Sequence, residues 1–102
     1  LMQLQLDKTS MMSVNEQISK QIKLKVEQGE WLPKTLLPTV KELAKSLKLN
    51  YNTVAAIYRS LEREGYLIQN RRAGTRVADN PPKNTNVLEQ HLAAEFAQRM
   101  QS

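Results

Sequence analysis

Amide, hydroxyl and cationic side chains gather in the middle of this 102-residue chain. Between Thr39 and Asn80, eight basic residues face four acidic ones, so +4 of the net charge of +5 lies there. The basic residues are Lys41, Lys45, Lys48, Arg59, Arg63, Arg71, Arg72 and Arg76. Such side chains pair with phosphates and hydrogen-bond to base edges, so the balance favours a polyanionic partner. Ribosomal, membrane-surface and heparin-binding proteins share this balance. The positions of the charges in the sequence must therefore distinguish among these classes of protein.

Side chains suited to catalysis or metal binding are scarce. The chain has no cysteine, one histidine (His91) and three dispersed glycines, which cannot form a phosphate-binding loop. We therefore expect no enzyme activity, no metal and no cofactor. The lack of cysteine fits a reducing cytosol, and no apolar run approaches the roughly 20 residues that span a membrane. We expect a cytoplasmic protein.

The length suits one domain, and a 40% apolar content is enough for a modest core. Alternating apolar residues predict a short strand over Met2–Leu6. Apolar residues at every fourth position predict a first helix over Val14–Gln28, with Ser13 and Glu16 as a capping box. A proline-bounded loop, Glu30–Pro38, follows, from which Trp31 and Leu32 are expected to enter the core. The first residue is not methionine, which suggests a trimmed chain.

Two further helices follow in close succession. The first is predicted over Val40–Leu47, with Thr39 and Glu42 as its capping box. The second is predicted over Tyr51–Glu64, capped by Asn50 and ended by Gly65. Only three or four residues separate them, which is the spacing of a helix-turn-helix.

A short hairpin with a basic tip is predicted directly after the helix pair. Its strands are Tyr66–Gln69 and Thr75–Ala78, and Asn70–Gly74 is the turn. A hairpin in this position has the outline of a wing. The predicted fold class is therefore α+β and mostly helical: a winged helix-turn-helix over 1–79, with a three-helix core, a short N-terminal strand and a β-hairpin wing.

The end of the chain has a different pattern. Residues 80–86 contain Pro81 and Pro82 with polar flanks and are predicted to be a linker. Apolar residues then return at helical spacing over 87–102. This C-terminal helix cannot bury its apolar stripe alone, so it is either a dimerisation element or the start of an absent effector domain.

Four ordered motifs resemble the GntR family of bacterial regulators. Leu37–Ala44 (LPTVKELA) is similar to the family's LPS-x-R-E-L-A, and Asn50–Val54 (NYNTV) to its x-R-N-T-V. Leu61–Leu67 (LEREGYL) resembles L-E-x-E-G with its apolar tail, and Arg72–Ala78 (RAGTRVA) resembles G-x-G-T-x-V-A. The resemblance covers roughly Leu4–Asp79 and is nearest to the YtrA-like branch, in which a short helical tail dimerises. MocR-type proteins, which fuse this domain to an aminotransferase-like domain, are the second choice.

Several positions depart from the family pattern. Tyr51 stands where arginine is common, and Ala55 where arginine or lysine is common, so base reading is expected to differ from the family's usual mode. Arg72 replaces the first glycine of the wing tip and adds charge. Residues 33–35 replace the family's P-G-D, which predicts a different loop.

The resemblance and the helix phase together predict a DNA-binding surface. The start of the third helix presents Asn52 for adenine and Thr53 for phosphate or a thymine methyl. Tyr51 is expected on the DNA backbone and Lys41 on phosphate, while Asn50 caps its helix, contacts DNA, or both. Arg59 either touches phosphate or pairs with Glu62. The predicted DNA-binding residues are Thr39, Lys41, Asn50, Tyr51, Asn52, Thr53, Arg59, Arg71, Arg72, Gly74 and Thr75.

The resemblance implies a transcription regulator, expected to be a repressor, that binds a palindromic operator as a homodimer. Its partners would be double-stranded DNA, a second copy of the chain and a small-molecule effector bound by a region outside this chain. Two alternatives stay open. One is a winged helix used for protein interaction, with the basic face meeting an acidic partner. The other is the DNA-binding head of a MocR-type protein.

Overall fold

Three helices are followed by a two-stranded hairpin in the computed structural model, which describes residues 3–83. The elements are α1 (Val14–Glu27), α2 (Val40–Leu47), α3 (Tyr51–Arg63), β1 (Leu67–Asn70) and β2 (Gly74–Val77). The predicted winged helix-turn-helix fold, with a three-helix core and a β-hairpin wing, is confirmed. Each helix boundary agrees with its prediction to within one residue, and each strand is displaced by one residue.

Helix starts are fixed by the three predicted caps. Thr39 and Glu42 form the complete reciprocal box, in which each backbone N–H donates to the other side chain. Asn50 Oδ1 accepts from Asn52 N at 2.7 Å, and Ser13 Oγ accepts from Glu16 N at 3.1 Å. Glu16 does not bond back to the Ser13 backbone, so the capping box predicted for α1 is only half formed. Local polar chemistry therefore sets where α1, α2 and α3 begin.

One face of each helix contributes to a shared core. The buried side chains include Ile18, Ile22 and Val26 of α1, Leu43 and Ala44 of α2, and Val54, Ile57, Tyr58 and Leu61 of α3. Leu67 and Val77 of the hairpin close the core. Trp31 enters it, as predicted, from the loop between α1 and α2. The prediction for Leu32 was wrong, since its side chain is 63% exposed. The apolar stripes thus fix how α3 is held against α1 and α2.

The turn between α2 and α3 is short and carries a left-handed residue. Lys48 ends α2 with φ 56° and ψ 47°, a conformation that reverses the chain without a glycine. Its backbone N–H bonds to Lys45 O, and Leu49 N bonds to Ala44 O. These bonds satisfy carbonyls at the end of α2 and direct the chain into the Asn50 cap.

A buried hydroxyl also joins the two helices. Tyr58 of α3 is fully buried, and its Oη donates to the Pro38 carbonyl at 2.8 Å, just before the α2 cap. Burial raises the pKa of the Tyr58 hydroxyl, with a smaller contribution from the Glu42 charge, so the group stays a protonated donor. The bond holds the start of α2 against the middle of α3.

We expect Tyr58→Phe to lower the free energy of unfolding by about 1–2 kcal/mol, because the Pro38 carbonyl loses a buried partner. Urea unfolding of the full chain measures the change. Tyr51→Phe is the matched control: Tyr51 is 57% exposed, so removing its hydroxyl should leave stability unchanged. Equal stability of the two variants would contradict a structural role for the Tyr58 hydroxyl.

The N-terminal segment differs from its prediction. Gln3–Asp7 forms no strand, and side chains of α1 bond its backbone instead. Gln21 both accepts from Gln5 N and donates to Gln5 O, and Gln17 does the same for Asp7. The predicted N-terminal strand was therefore wrong: glutamine amides on a helix supply the pairing that a neighbouring strand would give.

The loop between α1 and α2 lies along the free edge of β2. Lys34 N donates to Val77 O at 2.8 Å, Val77 N to Thr35 O at 2.9 Å, and Leu37 N to Thr75 O at 2.8 Å. Leu36 forms an isolated antiparallel bridge with Arg76. The loop thus supports the hairpin from the side opposite β1.

Residues 84–102 lie outside the described part of the chain. The predicted C-terminal helix over 87–102, residues 84–86 of the predicted linker and His91 lie there, so the domain division stays a prediction. No helix within residues 3–83 is long and apolar enough to cross a membrane.

Candidate nucleic-acid interface

The exposed face of α3 carries the residues predicted to read DNA. Asn52 and Arg59 are both exposed and seven residues apart, about two helical turns, so they lie on the same face. Between them, Ala55 and Ala56 are half-buried and small, which leaves room for a close approach. The opposite face is the buried stripe through Ile57. The helix can therefore present one face to a groove while the other stays in the core.

The first turn of α3 divides its polar groups between capping and exposure. The Asn50 side-chain oxygen is engaged by the Asn52 backbone, so Asn50 does act as the cap. Tyr51 points away from the core, as its predicted phase requires, and Thr53 is half-buried. The side chain of Asn52 has no hydrogen-bond partner among residues 3–83. Its amide is free to bind a ligand in front of the helix.

A groove runs between the starts of α2 and α3 on one side and the wing on the other. It has a volume of about 390 Å³. Six of the predicted DNA-binding residues line it: Thr39, Lys41, Tyr51, Arg71, Gly74 and Thr75. The remaining five, Asn50, Asn52, Thr53, Arg59 and Arg72, do not line it. The fold therefore brings residues from three separate segments to one concave surface without an acidic side chain in its lining.

The wing tip is shaped by a residue that the sequence analysis did not select. Asn70 Oδ1 accepts from both Arg72 N, at 2.8 Å, and Ala73 N, at 3.1 Å. This asparagine-centred turn holds Arg71 and Arg72 at the exposed end of the hairpin. The sequence does contain a signal for this turn, because an asparagine side chain often accepts a hydrogen bond from the backbone N–H two residues later.

Gly74 and Thr75 have structural reasons for their identity. Gly74 has φ +80°, and a Cβ there would lie 3.0 Å from Leu36 Cδ1, so a side chain would be strained and crowded. Thr75 is only 8% exposed and lies at the base of the groove. Both residues shape the groove whether or not they also touch a ligand.

Arg76 supports the wing from its outer side. Its Nε donates to Ala73 O and its Nη1 to Lys34 O, both at 3.0 Å. The side chain thereby ties the wing turn to the loop that borders β2.

The interface cations are not neutralised by neighbouring acids. Glu62 is engaged by the Gln69 backbone N–H at 2.9 Å and does not pair with Arg59 within the described chain. The two ion pairs found among residues 3–83, Lys23–Glu64 at 2.8 Å and Lys25–Glu30 at 3.3 Å, each involve α1. Lys41, Arg59, Arg71 and Arg72 take part in neither. Their charge is available to an anionic partner.

No group of acidic, histidine or cysteine side chains that could hold a metal occurs within residues 3–83. This part of the chain has an exposed face of α3, a basic hairpin tip and a groove between the starts of α2 and α3 and the wing. Together with three helices and a hairpin in this order, they define a winged helix-turn-helix of the DNA-binding class. Residues 14–77 match the bacterial regulatory proteins of the gntR family. The chain belongs to the GntR family of transcription regulators.

Known proteins with related sequences and structures support this assignment. The chain is 39% identical over 77 residues to the HTH-type transcriptional repressor YtrA of Bacillus subtilis (strain 168). That match covers 76% of this chain and 59% of the relative, so the chain spans about three fifths of its length. It also resembles the structure of YtrA from Sulfolobus acidocaldarius, a GntR-family transcription factor (TM-score 0.68, 29% identity, 92% of this chain and 97% of the other).

A third comparison concerns a complex. The structure of the AraR DNA-binding domain with operator ORE1 has a TM-score of 0.61 and 28% identity, and covers 76% of this chain and 95% of that one. The DNA-binding domain of that protein is therefore seen on operator DNA in the same fold. Contacts of the eleven predicted residues with DNA stay a prediction for this chain.

Proposed function

We propose that this chain is the sequence-specific DNA-binding part of a transcription repressor that binds a near-palindromic operator as a homodimer. The observation that carries the proposal is the meeting of the α3 start, the α2 start and the basic wing at one groove free of acidic lining. The repressor role is proposed by analogy with the Bacillus subtilis relative, a transcriptional repressor.

The geometry supports a different DNA contact for each structural element. The start of α3 would enter the major groove, where the Asn52 amide can pair bidentately with adenine N6 and N7. Thr53 would follow it towards a phosphate or a thymine methyl. Lys41, at the start of α2, would meet a phosphate, helped by the N-terminal end of that capped helix.

The wing would contact the neighbouring minor groove. Arg71 and Arg72 are exposed at its tip, and arginine suits the electronegative potential of a narrow minor groove. Tyr51 would lie against the DNA backbone at the entrance of the protein groove between the helix starts and the wing. Arg59, two turns along α3 from Asn52, is placed for a phosphate at the edge of the major groove.

Two copies would be needed to read both halves of an operator. Their α3 helices would enter successive major grooves about 34–36 Å apart. We propose that residues 87–102 contribute to dimerisation, that a small-molecule effector acts through a region outside this chain, and that the protein works in the cytoplasm, where chromosomal DNA is accessible.

Selection from a pool of random duplexes with the full chain tests this function. The expected outcome is an enriched sequence with two inverted half-sites centred about one helical turn apart. Binding should weaken steeply between low and moderate salt, as phosphate contacts require. Sedimentation with the enriched duplex should give two chains per duplex. No duplex binding at low salt would refute the proposal and leave protein interaction as the role of the basic face.

The wing contribution gives a separate prediction. Arg72→Ala should weaken binding to all duplexes by a similar factor and reduce the salt slope, −d log K/d log[salt], by about 0.9, the value for one phosphate contact. Lys20→Ala, which removes an exposed charge from α1, is the matched control and should leave most of the slope in place. Fluorescence anisotropy at four salt concentrations measures both. Equal slopes for the two variants would place the wing away from DNA.

A further inference from the structure

Gln69 occupies the inner face of the wing, opposite the start of α3. Leu67 and Gln69 share one face of β1, and Ile68 lies on the other. Leu67 is buried, Gln69 is half-buried and Ile68 is 45% exposed. Gln69 pairs in register with Thr75 and lines the groove together with Tyr51 and Lys41. The predicted DNA-binding set did not include it.

The backbone of Gln69 is held on both sides. Its N–H donates to Glu62 Oε2 of α3, and the strand pairs with β2. Its side-chain amide, in contrast, has no hydrogen-bond partner among residues 3–83. A fixed backbone carrying an unengaged donor and acceptor at the wall of a groove is suited to contact a ligand that enters the groove.

The geometry of DNA indicates which part of the duplex would enter. A major groove and the adjacent minor groove are separated by one sugar–phosphate strand. If α3 lies in the first and the wing in the second, that strand must pass between Tyr51 and the wing. Base edges point into the two grooves, whereas the phosphates of this strand face the protein between them.

We propose that the Gln69 side-chain amide donates a hydrogen bond to a phosphate of the strand that crosses this groove. The inference rests on the proposed function and adds a positioning contact to it. Lys41 and Tyr51 lie on the facing wall, so the strand would be held from both sides. Because glutamine is neutral, this contact adds affinity for every sequence without releasing a counterion.

Four variants of the full chain test the contact, with the duplex enriched by the wild type and a scrambled one. Gln69→Ala should weaken binding to both roughly 10- to 150-fold, the range of a hydrogen bond to a charged group, with an unchanged salt slope. Gln69→Glu is nearly isosteric and should bind more weakly than Gln69→Ala, because its charge faces phosphate. Gln69→Lys should increase the slope by about 0.9, and Ile68→Lys, on the outer face, by clearly less.

The outcomes separate this inference from the proposed function. If the wild type binds no duplex, the proposed function and the Gln69 contact are both refuted. If the wild type binds and Gln69→Ala binds equally well, the Gln69 contact alone is refuted. A loss confined to particular base pairs, or equal slopes for Gln69→Lys and Ile68→Lys, would also overturn the phosphate assignment. Thermal unfolding of each variant shows whether an affinity loss arises from misfolding.

Discussion

Asn52→Ala is expected to abolish the preference for one base pair in each half-site while leaving the fold intact. A bidentate asparagine–adenine pair is worth about 1–3 kcal/mol of discrimination, so the preferred base should lose roughly 5- to 150-fold of its advantage. Asn52 is exposed, and only its backbone takes part in capping α3. Alanine also favours the helix, so the free energy of unfolding should not fall. Repeating the duplex selection with the variant measures the loss.

Asn15→Ala provides a matched control for this variant. Asn15 is also exposed and also occupies the second position of its helix, α1, but it lies outside the proposed interface. Its removal should leave the selected sequence unchanged. If Asn52→Ala selected the same sequence as the wild type, the assignment of this side chain to base reading would be wrong, even though DNA binding itself would stand.

The helices could be predicted closely because their determinants are local in sequence. The box of Thr39 and Glu42 fixes one end of α2, and a stripe at helical spacing fixes its length. Asn50 caps the start of α3, and Gly65, with a left-handed φ of 88°, ends it. Since phase also separates the buried and exposed faces, the exposure of Tyr51 and Asn52 followed from the same pattern.

The supports around the wing could not be predicted in the same way. The loop at Lys34 and Thr35 lies far in sequence from the β2 edge that it borders, and no periodic pattern marks the pairing. The Gln17 and Gln21 contacts with the N-terminal segment are equally non-local, so alternating residues there were mistaken for a strand. An alternating pattern indicates which side chains share a face but does not identify what the backbone bonds to.

The candidate site, like the fold, could be predicted only in part from the sequence. The resemblance to the GntR family, together with charge and helix phase, selected residues such as Lys41 and Tyr51, which the fold then placed on one groove. They did not select Gln69 or Asn70, because neither residue is charged and neither lies on the helix whose phase was used. The position of Gln69 on the groove depends on how the hairpin packs beside the starts of α2 and α3, which required the structure.

Ile57→Ala should destabilise the chain by about 2–5 kcal/mol, because Ile57 is fully buried on the stripe of α3 and its truncation leaves a cavity. That is a large share of the roughly 5–15 kcal/mol typical of a whole domain. The same helix carries Asn52 on its exposed face. Urea unfolding should show a lower midpoint with little change in the slope m.

The comparison with Arg59→Ala makes this prediction specific to the buried face. Arg59 lies two residues along the same helix and is exposed, so its removal should change stability by less than about 0.5 kcal/mol. Saturating operator duplex should raise the midpoint of Ile57→Ala, since DNA binds only the folded chain. A loss below about 1 kcal/mol would mean that the core closes around the smaller side chain. In that case, the Tyr58–Pro38 hydrogen bond would contribute a larger share of what holds α3 in place.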